Sequence, residues 1–521
     1  MTNRDLQLLK EIVDTFIPRC VPEYVIEAFG ETTREIEHPL DDEVKGKLDS
    51  IKNAMRDEDD DYRIFYFADE IKDIWKLIIQ KSIKCLRYFD SREPYLENQS
   101  KHPVAYGVDE LSNYFDKYIK FESMLYGGGK YYRDHVIHVF RVWLLGLECL
   151  LDDDGNYLKR IIIQRGVQVN SLEKISIWSM IALTHDLGYP LEKAQGIIDQ
   201  TKDMMKSFIS NPSVSMDLSF NGIQNNMNDF VVRFISSKMH EVDNKCPKEE
   251  SSDNEKKYVA RLQPKYYFKF QKSLEGYNHG ILSAIIIYKL LRYFLESDFN
   301  INEDYPFDEE ESRQFYIRRE ILRTIASHTC HDIYHLDMLS FAFLLIVVDD
   351  AQEWGRKRIS ELYVNKDSTY EFISIVPTFD IGESDHGKEK IKIHSLEVKE
   401  EFSFKNQSDL RGTLLSLYKQ CKGYKEIFRD GQDTTRRNFT FEKHCEIVYE
   451  EVKMIKFCVD LIISNEDRPR FTITTSCDTK KPLESFGLSF FKKVYDKFDV
   501  QETEKKPSGK EFTYEITDKS E

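Results

Sequence analysis

Apolar residues recur at three- and four-residue steps from the start of the chain. Leu8, Leu9, Ile12, Val13 and Phe16 share one face, which predicts an amphipathic helix. The segment ADEIKDIWKLIIQKSIKCLRYF repeats the pattern, so residues 1–120 read as a mostly helical N-terminal region. DEDDDYR at 57–63 reads as a helix end or exposed turn. From 121 to 360 the chain stays helical. YYRDHVIHVFRVWLLGLECLL is amphipathic at its start and nearly all apolar at its end, as expected of a helix entering a core. ISIWSMIALTHDLGYP reads as a second buried helix that stops at Gly188 and Pro190. Residues 196–265, with NPSVS, NGIQNN and CPKEESSDNEKK, read as a long insertion containing a partly disordered polar segment. Helical periodicity resumes at 279–297, 311–328 and 336–356. Beyond about 360 the period changes to alternating, β-branched segments (YEFISIVPTF, KIKIHSLEVKEEFSF, RFTITTS) around one helix at 409–428. The expected fold is mainly α. A helical bundle carries an N-terminal helical extension (1–120) and a C-terminal α+β domain (361–521), which is regulatory or oligomerising.

Composition narrows the classes. A length of 521 residues implies two or three domains, and 41% hydrophobic residues suffice for real cores. The net charge of −17, from 91 acidic and 74 basic side chains, disfavours nucleic acid as a partner. Nine cysteines include no Cys-x-x-Cys pair, so neither a zinc ribbon nor a disulfide framework is expected, and a reducing compartment fits. The N-terminus has acids spread through it, and the longest apolar run, FAFLLIVV, is too short to span a bilayer. A soluble, cytoplasmic protein with no membrane partner is expected; a homo-oligomer stays open.

Thirteen histidines are present. His135 and His138 lie three apart on one predicted helix and so share a face. His185-Asp186 ends an apolar helix, His279 opens another, His328 closes the next, and Asp349-Asp350 interrupts a fourth. An isolated histidine in such a helix is usually a hydrogen-bonded core residue, and His-Asp is by itself an unspecific dipeptide. His240 reads as solvated, and His331 and His335 as surface or loop residues. The series is different, because each ionisable group abuts a hydrophobic wall and few basic residues lie in those runs. Unpaired, they are costly to bury; a divalent cation satisfies neutral imidazoles and carboxylates together.

The order His138, His185-Asp186, His279, His328, Asp349 resembles the metal-binding signature of the HD-domain phosphohydrolase superfamily. HVFRV resembles its first histidine helix, THDLGYP its His-Asp-x-Gly turn, NHGILSA its His-Gly-x-x-Ser-Ala motif, and LLIVVDDAQEWGR its final aspartate helix. The likeness covers about residues 121–360. It implies an HD-type domain with one or two divalent ions (Mn, Fe, Mg, Co, Ni or Zn) held by His138, His185, Asp186, His279, His328 and Asp349, with Asp186 bridging. His135 and Asp350 compete with His138 and Asp349 as ligands. His135, when not a ligand, would face the phosphate as a proton donor. Arg133, Lys193 and Arg356 are candidate phosphate contacts, so His135, Asp186, Lys193 and Arg133 form the expected catalytic set.

The activity implied is hydrolysis of a phosphoester or phosphoanhydride in a nucleotide-type small molecule by metal-activated water. Gly-Tyr-Pro after His-Asp is similar to the Gly-His-Pro of dNTP triphosphohydrolases, but the further histidine of those enzymes is missing. Alternatives are a single-strand nuclease using RLQPKYYFKFQK (261–272), and a nucleotide sensor without turnover. A diiron oxygenase is a minor third.

Overall fold

The computed structural model describes residues 4–20, 24–29, 32–37, 39–55, 63–88, 107–125, 134–163, 167–208, 223–242, 256–295, 306–330, 332–333, 339–352, 354, 368–382, 390–404, 407–427, 440–449, 455–464, 470–477, 486–505 and 511–518. Two units form. The first comprises residues 1–128, 134–333 and 339–349; the second comprises 129–133, 334–338 and 350–521.

The first unit is a helical bundle. It opens with α1 (Arg4–Lys10), a π-helical turn (Glu11–Phe16) and α2 (Ile17–Cys20). The hairpin β1–β2 (Tyr24–Phe29, Thr32–Glu37) follows, then α3 (Asp42–Ala54), α4 (Ala68–Tyr88) and α5 (Val108–Leu125). Next come α6 (His135–Arg160), α7 (Ser171–Thr184), α8 (Tyr189–Phe208) and α9 (Ile223–Ser236). After the hairpin β3–β4 (Ser237–Val242, Lys257–Leu262) run α10 (Pro264–Glu275), α11 (His279–Leu290), α12 (Arg292–Leu295), α13 (Glu309–Ser327) and α14 (Phe341–Ala351).

Local chemistry fixes the starts of the helices that matter. Asp134 caps α6 by accepting from Ile137 N at 3.1 Å. Asn170 with Glu173, and Asp308 with Glu311, form capping boxes on α7 and α13. α7 is buried from Leu172 to Thr184, and α11 from Gly280 to Tyr288, so both run through the core. α7 packs on α4, α6 and α13, while α11 packs on α8 and α13. The N-terminal segment is bound into the same unit. Buried Asp5 receives two bonds from Arg141 of α6, at 2.8 and 2.6 Å, and Trp75 of α4 donates to Leu183 O at 2.7 Å.

Three expectations change. Within the mostly helical N-terminal region a hairpin interrupts the helices: Tyr24, Val25 and Ile26, all β-favouring, pair with Glu37, Ile36 and Glu35. The stretch 196–265 holds regular structure, because α8 continues to Phe208 and α9 and β3–β4 follow. Residues 209–222 and 243–255 of it lie outside the described residues. Pro190 opens a helix as well as following one: α7 ends at Thr184 and Pro190 is the second residue of α8, where a missing N–H costs nothing. The first unit is therefore mainly helical with two hairpins.

The second unit is α+β. Its seven strands, β5 (Ser368–Gly382), β6 (Lys390–Phe404), β7 (Thr440–Tyr449), β8 (Ile455–Ser464), β9 (Arg470–Ser476), β10 (Phe498–Lys505) and β11 (Glu511–Asp518), lie in the order β10-β11-β9-β8-β7-β6-β5. All neighbours are antiparallel except β6 and β7, whose parallel pairing needs a crossover; α15 (Gln407–Ile427) lies between them in sequence. Ile455, Phe457, Val459 and Leu461 alternate into one buried face, and Leu410, Leu414 and Leu417 of α15 are buried as well.

Candidate metal centre

Helix ends deliver the ionisable groups to one place. His185 caps the C-terminus of α7, and Asp186 follows in the turn before α8. His279 is the first residue of α11, His328 caps α13, His138 lies in the first turn of α6, and Asp349 lies in the last turn of α14. Glycine permits this approach: a Cβ at Gly188 would stand 2.3 Å from His279 O, and one at Gly280 would stand 2.6 Å from Ile325 O. Gly188 N also donates to Ser283 Oγ at 2.7 Å, and that hydroxyl donates to His279 O.

The six side chains His138, His185, Asp186, His279, His328 and Asp349 converge in three overlapping groups. Asp186 lies between them. Its Oδ2 is 3.4 Å from His138 Nε2 and 3.5 Å from His185 Nε2. On the same side, Asp349 Oδ1 is 3.0 Å from His138 Nε2 and 3.8 Å from His185 Nε2. The other oxygen of Asp186, Oδ1, is 3.2 Å from His279 Nε2 and 3.8 Å from His328 Nε2.

Hydrogen bonds behind the rings determine what those nitrogens offer. His185 Nδ1 meets Ala182 O at 2.8 Å, and His328 Nδ1 meets Ile325 O at 2.6 Å. His279 Nδ1 meets Glu192 Oε2 at 2.7 Å, and the same oxygen accepts from His279 N at 2.8 Å. Each of these partners is an acceptor, so each Nδ1 carries a proton, and each ring, when neutral, turns the Nε2 lone pair inward. His279 Nε2 and His328 Nε2 then face each other at 3.2 Å, and His185 Nε2 is buried without a hydrogen bond. Two opposed lone pairs beside carboxylate oxygens require a cation or a proton between them.

Compared with protein-family models, curated proteins and solved structures, the chain matches none. The assignment of this centre therefore stands on the donor set. Imidazole and carboxylate converging from separate elements, with lone pairs inward, can hold a metal ion.

The charges agree with that reading. Burial would raise the carboxyl pKa values of Asp186 and Asp349, but the surrounding imidazoles outweigh it and hold both well below the usual range. Burial would lower the His279 pKa, yet Asp186 and Glu192 raise it to about 9. His185 moves up against its burial through Asp186 and Asp349, whereas burial keeps His328 below the ordinary imidazole value. The solvent side is formed by His279 and Asp349, each with 19% of its side chain exposed, while His185 has none.

Other expected residues fall differently. His138, not His135, makes the shorter approaches; His135 Nε2 stands 3.9 Å from Asp186 Oδ2, with its ring 4.3 Å from that of Tyr189. Asp349, not Asp350, belongs to the group. Lys193 lies at the rim, 42% exposed, 4.5 Å above the Tyr189 ring and 3.6 Å from Glu192 Oε1. His240 is exposed on β3. Arg133, His331, His335 and Arg356 lie outside the described residues. Sequence reasoning overlooked Glu192 and Tyr189. Their signal was position: both follow His185-Asp186 within two turns, on the first turn of α8.

Proposed function

We propose that the chain is an HD-type metal-dependent phosphohydrolase that cleaves a phosphoester or phosphoanhydride of a nucleotide-type small molecule. The observation that carries this reading is Asp186, whose Oδ2 faces His138 and His185 while its Oδ1 faces His279 and His328. His138, His185, Asp186 and Asp349 would hold one divalent ion, and Asp186, His279 and His328 a second. Bound there, divalent ions supply Lewis acidity toward a phosphoryl oxygen and activate water as the nucleophile. Mn, Fe, Co, Ni or Zn suits such ligands, with Mg the poorest match.

The protein's residues do the rest. Glu192 fixes the ring of His279, and main-chain carbonyls fix His185 and His328. His135, buried 3.9 Å from Asp186 on the side of Tyr189, would hand a proton to the departing oxygen; its proximity to Asp186 supports that role. Lys193 at the rim is suited to a substrate phosphate.

The test is metal analysis of the purified chain, with a phosphate-release screen over nucleotides in Mn, Fe, Co, Ni, Zn and Mg. Metal-dependent release that disappears in Asp186→Asn supports the proposal. Nucleotide binding without release would point to a sensor, and cleavage of single strands alone to a nuclease. A chain that binds no divalent ion overturns all three.

A further inference from the structure

A second concentration of charge lies on α13. Arg319 and Arg323 are four residues apart, hence on one face; Arg319 is buried and Arg323 half-buried. Arg319 is 8% exposed. Its Nη1 donates to Ser237 O at 3.0 Å and its guanidinium lies 5.2 Å over the Tyr316 ring, but its buried Nε donates to nothing. Arg323 donates to Ile235 O at 3.2 Å and stacks 4.3 Å over the Tyr266 ring, which also has Lys265 Nζ 6.0 Å away. Among the described residues neither guanidinium forms an ion pair; Glu320 acts on both only as a more distant charge.

The deficit is physical. Two like charges, one buried and one half-buried, each lose hydration, and carbonyl dipoles and ring faces return only part of it. The end of α9, where Ile235 and Ser236 lie, contributes about half a negative charge against two full positive ones. Burial and the neighbouring Arg323 together press Arg319 down to about 10, the direction expected where positive charge is short of a counter-ion. On a chain of net charge −17, such a pair with no ion-paired carboxylate among the described residues stands out. Arginine forks match tetrahedral oxyanions, and Arg323 and Tyr266 are only half-buried, so a ligand can reach them.

We propose that Arg319, Arg323 and Tyr266 form a binding site for the phosphoryl group of a small soluble ligand, separate from the metal centre. The proposal does not rest on the hydrolase reading. Phosphoryl chemistry here has two sources, inorganic phosphate or pyrophosphate on one hand and a nucleotide on the other. A base stacked on the Tyr266 side would distinguish them by tighter binding of the nucleotide.

Calorimetric titration of the full chain with pyrophosphate and with a nucleoside triphosphate, at constant ionic strength, tests it. Saturable binding of one anion per chain is expected in Asp186→Asn, which disables the metal group. Arg323→Gln should weaken that binding by about tenfold or more, and Arg319→Gln likewise where it folds. Arg323→Lys, which keeps the charge but not the fork, should fall between. Absence of saturable binding in both wild type and Asp186→Asn overturns the proposal. So does unchanged binding in Arg323→Gln, since the pair would then serve only to fasten α13 to the end of α9 and the start of β3.

Discussion

Single residues decide whether the centre holds metal. Glu192 grips His279 through two hydrogen bonds to one oxygen, so Glu192→Ala should weaken divalent binding by about 10–100-fold. Glu192→Gln, which can still accept through its amide oxygen, should lose less; calorimetric metal titration of both variants checks this. Proton and metal compete for the same lone pairs. His279, raised to about 9 from 6.5, contributes stability in the metal-free chain that is fully present below 6.5 and lost as pH rises through about 9. Ligation needs the neutral ring, so added Mn should raise Tm more at about pH 9 than at about pH 6. Melting curves with and without Mn give the sign; a larger gain in acid would refute the lone-pair argument. Much of this was legible beforehand, because His185-Asp186, His279 and Asp349 interrupt apolar runs where an unpaired polar group is expensive. Glu192 was not. In sequence it reads as an ordinary solvated acid beside Lys193, and only folding brings it against a helix start 87 residues away.

At the scale of elements, the turn from α7 into α8 is the tightest joint. Gly188 lies against the start of α11, with Leu282 Cβ and Ser283 N each 2.7 Å from where a methyl would sit. Gly188→Ala should therefore cost about 1–3 kcal/mol of stability, measurable by denaturant titration, and should weaken metal binding by moving His279 relative to Asp186. Here the sequence pattern was ambiguous. Gly-Tyr-Pro serves equally as a stop and as the first turn of a new helix, and the amphipathic stretch after Pro190 decides for the latter. The hairpins were hidden for another reason. SKMHEV and KYVARL are too short to display a strand period, and pairing across residues 243–255 is a long-range choice that propensity does not reveal.

For the whole first unit, the consequence is mutual support between bundle and centre. The candidate ligands come from α6, α7, α11, α13 and α14 and the turn after α7, so an ion held by them would bind only the folded arrangement. At a concentration 100-fold above its dissociation constant, it should add about 2.7 kcal/mol, removable with a chelator. The buried Asp5–Arg141 bridge fastens the N-terminal helix to the helix bearing His138. Asp5→Asn, which leaves the guanidinium buried with a poorer partner, should cost several kcal/mol, about 3–5 at the upper end, by the same melting assay.

Three of the four tryptophans belong to that same architecture. Trp143 donates to Ser179, Trp178 donates to Trp143 O, and Trp75, stacked on Phe115, donates to the carbonyl two residues ahead of His185. The indole of Trp75 thus touches the backbone that carries the ligands. Its fluorescence should therefore serve as an optical gauge of the centre, changing in intensity if ions bind as they are titrated in, with no label attached.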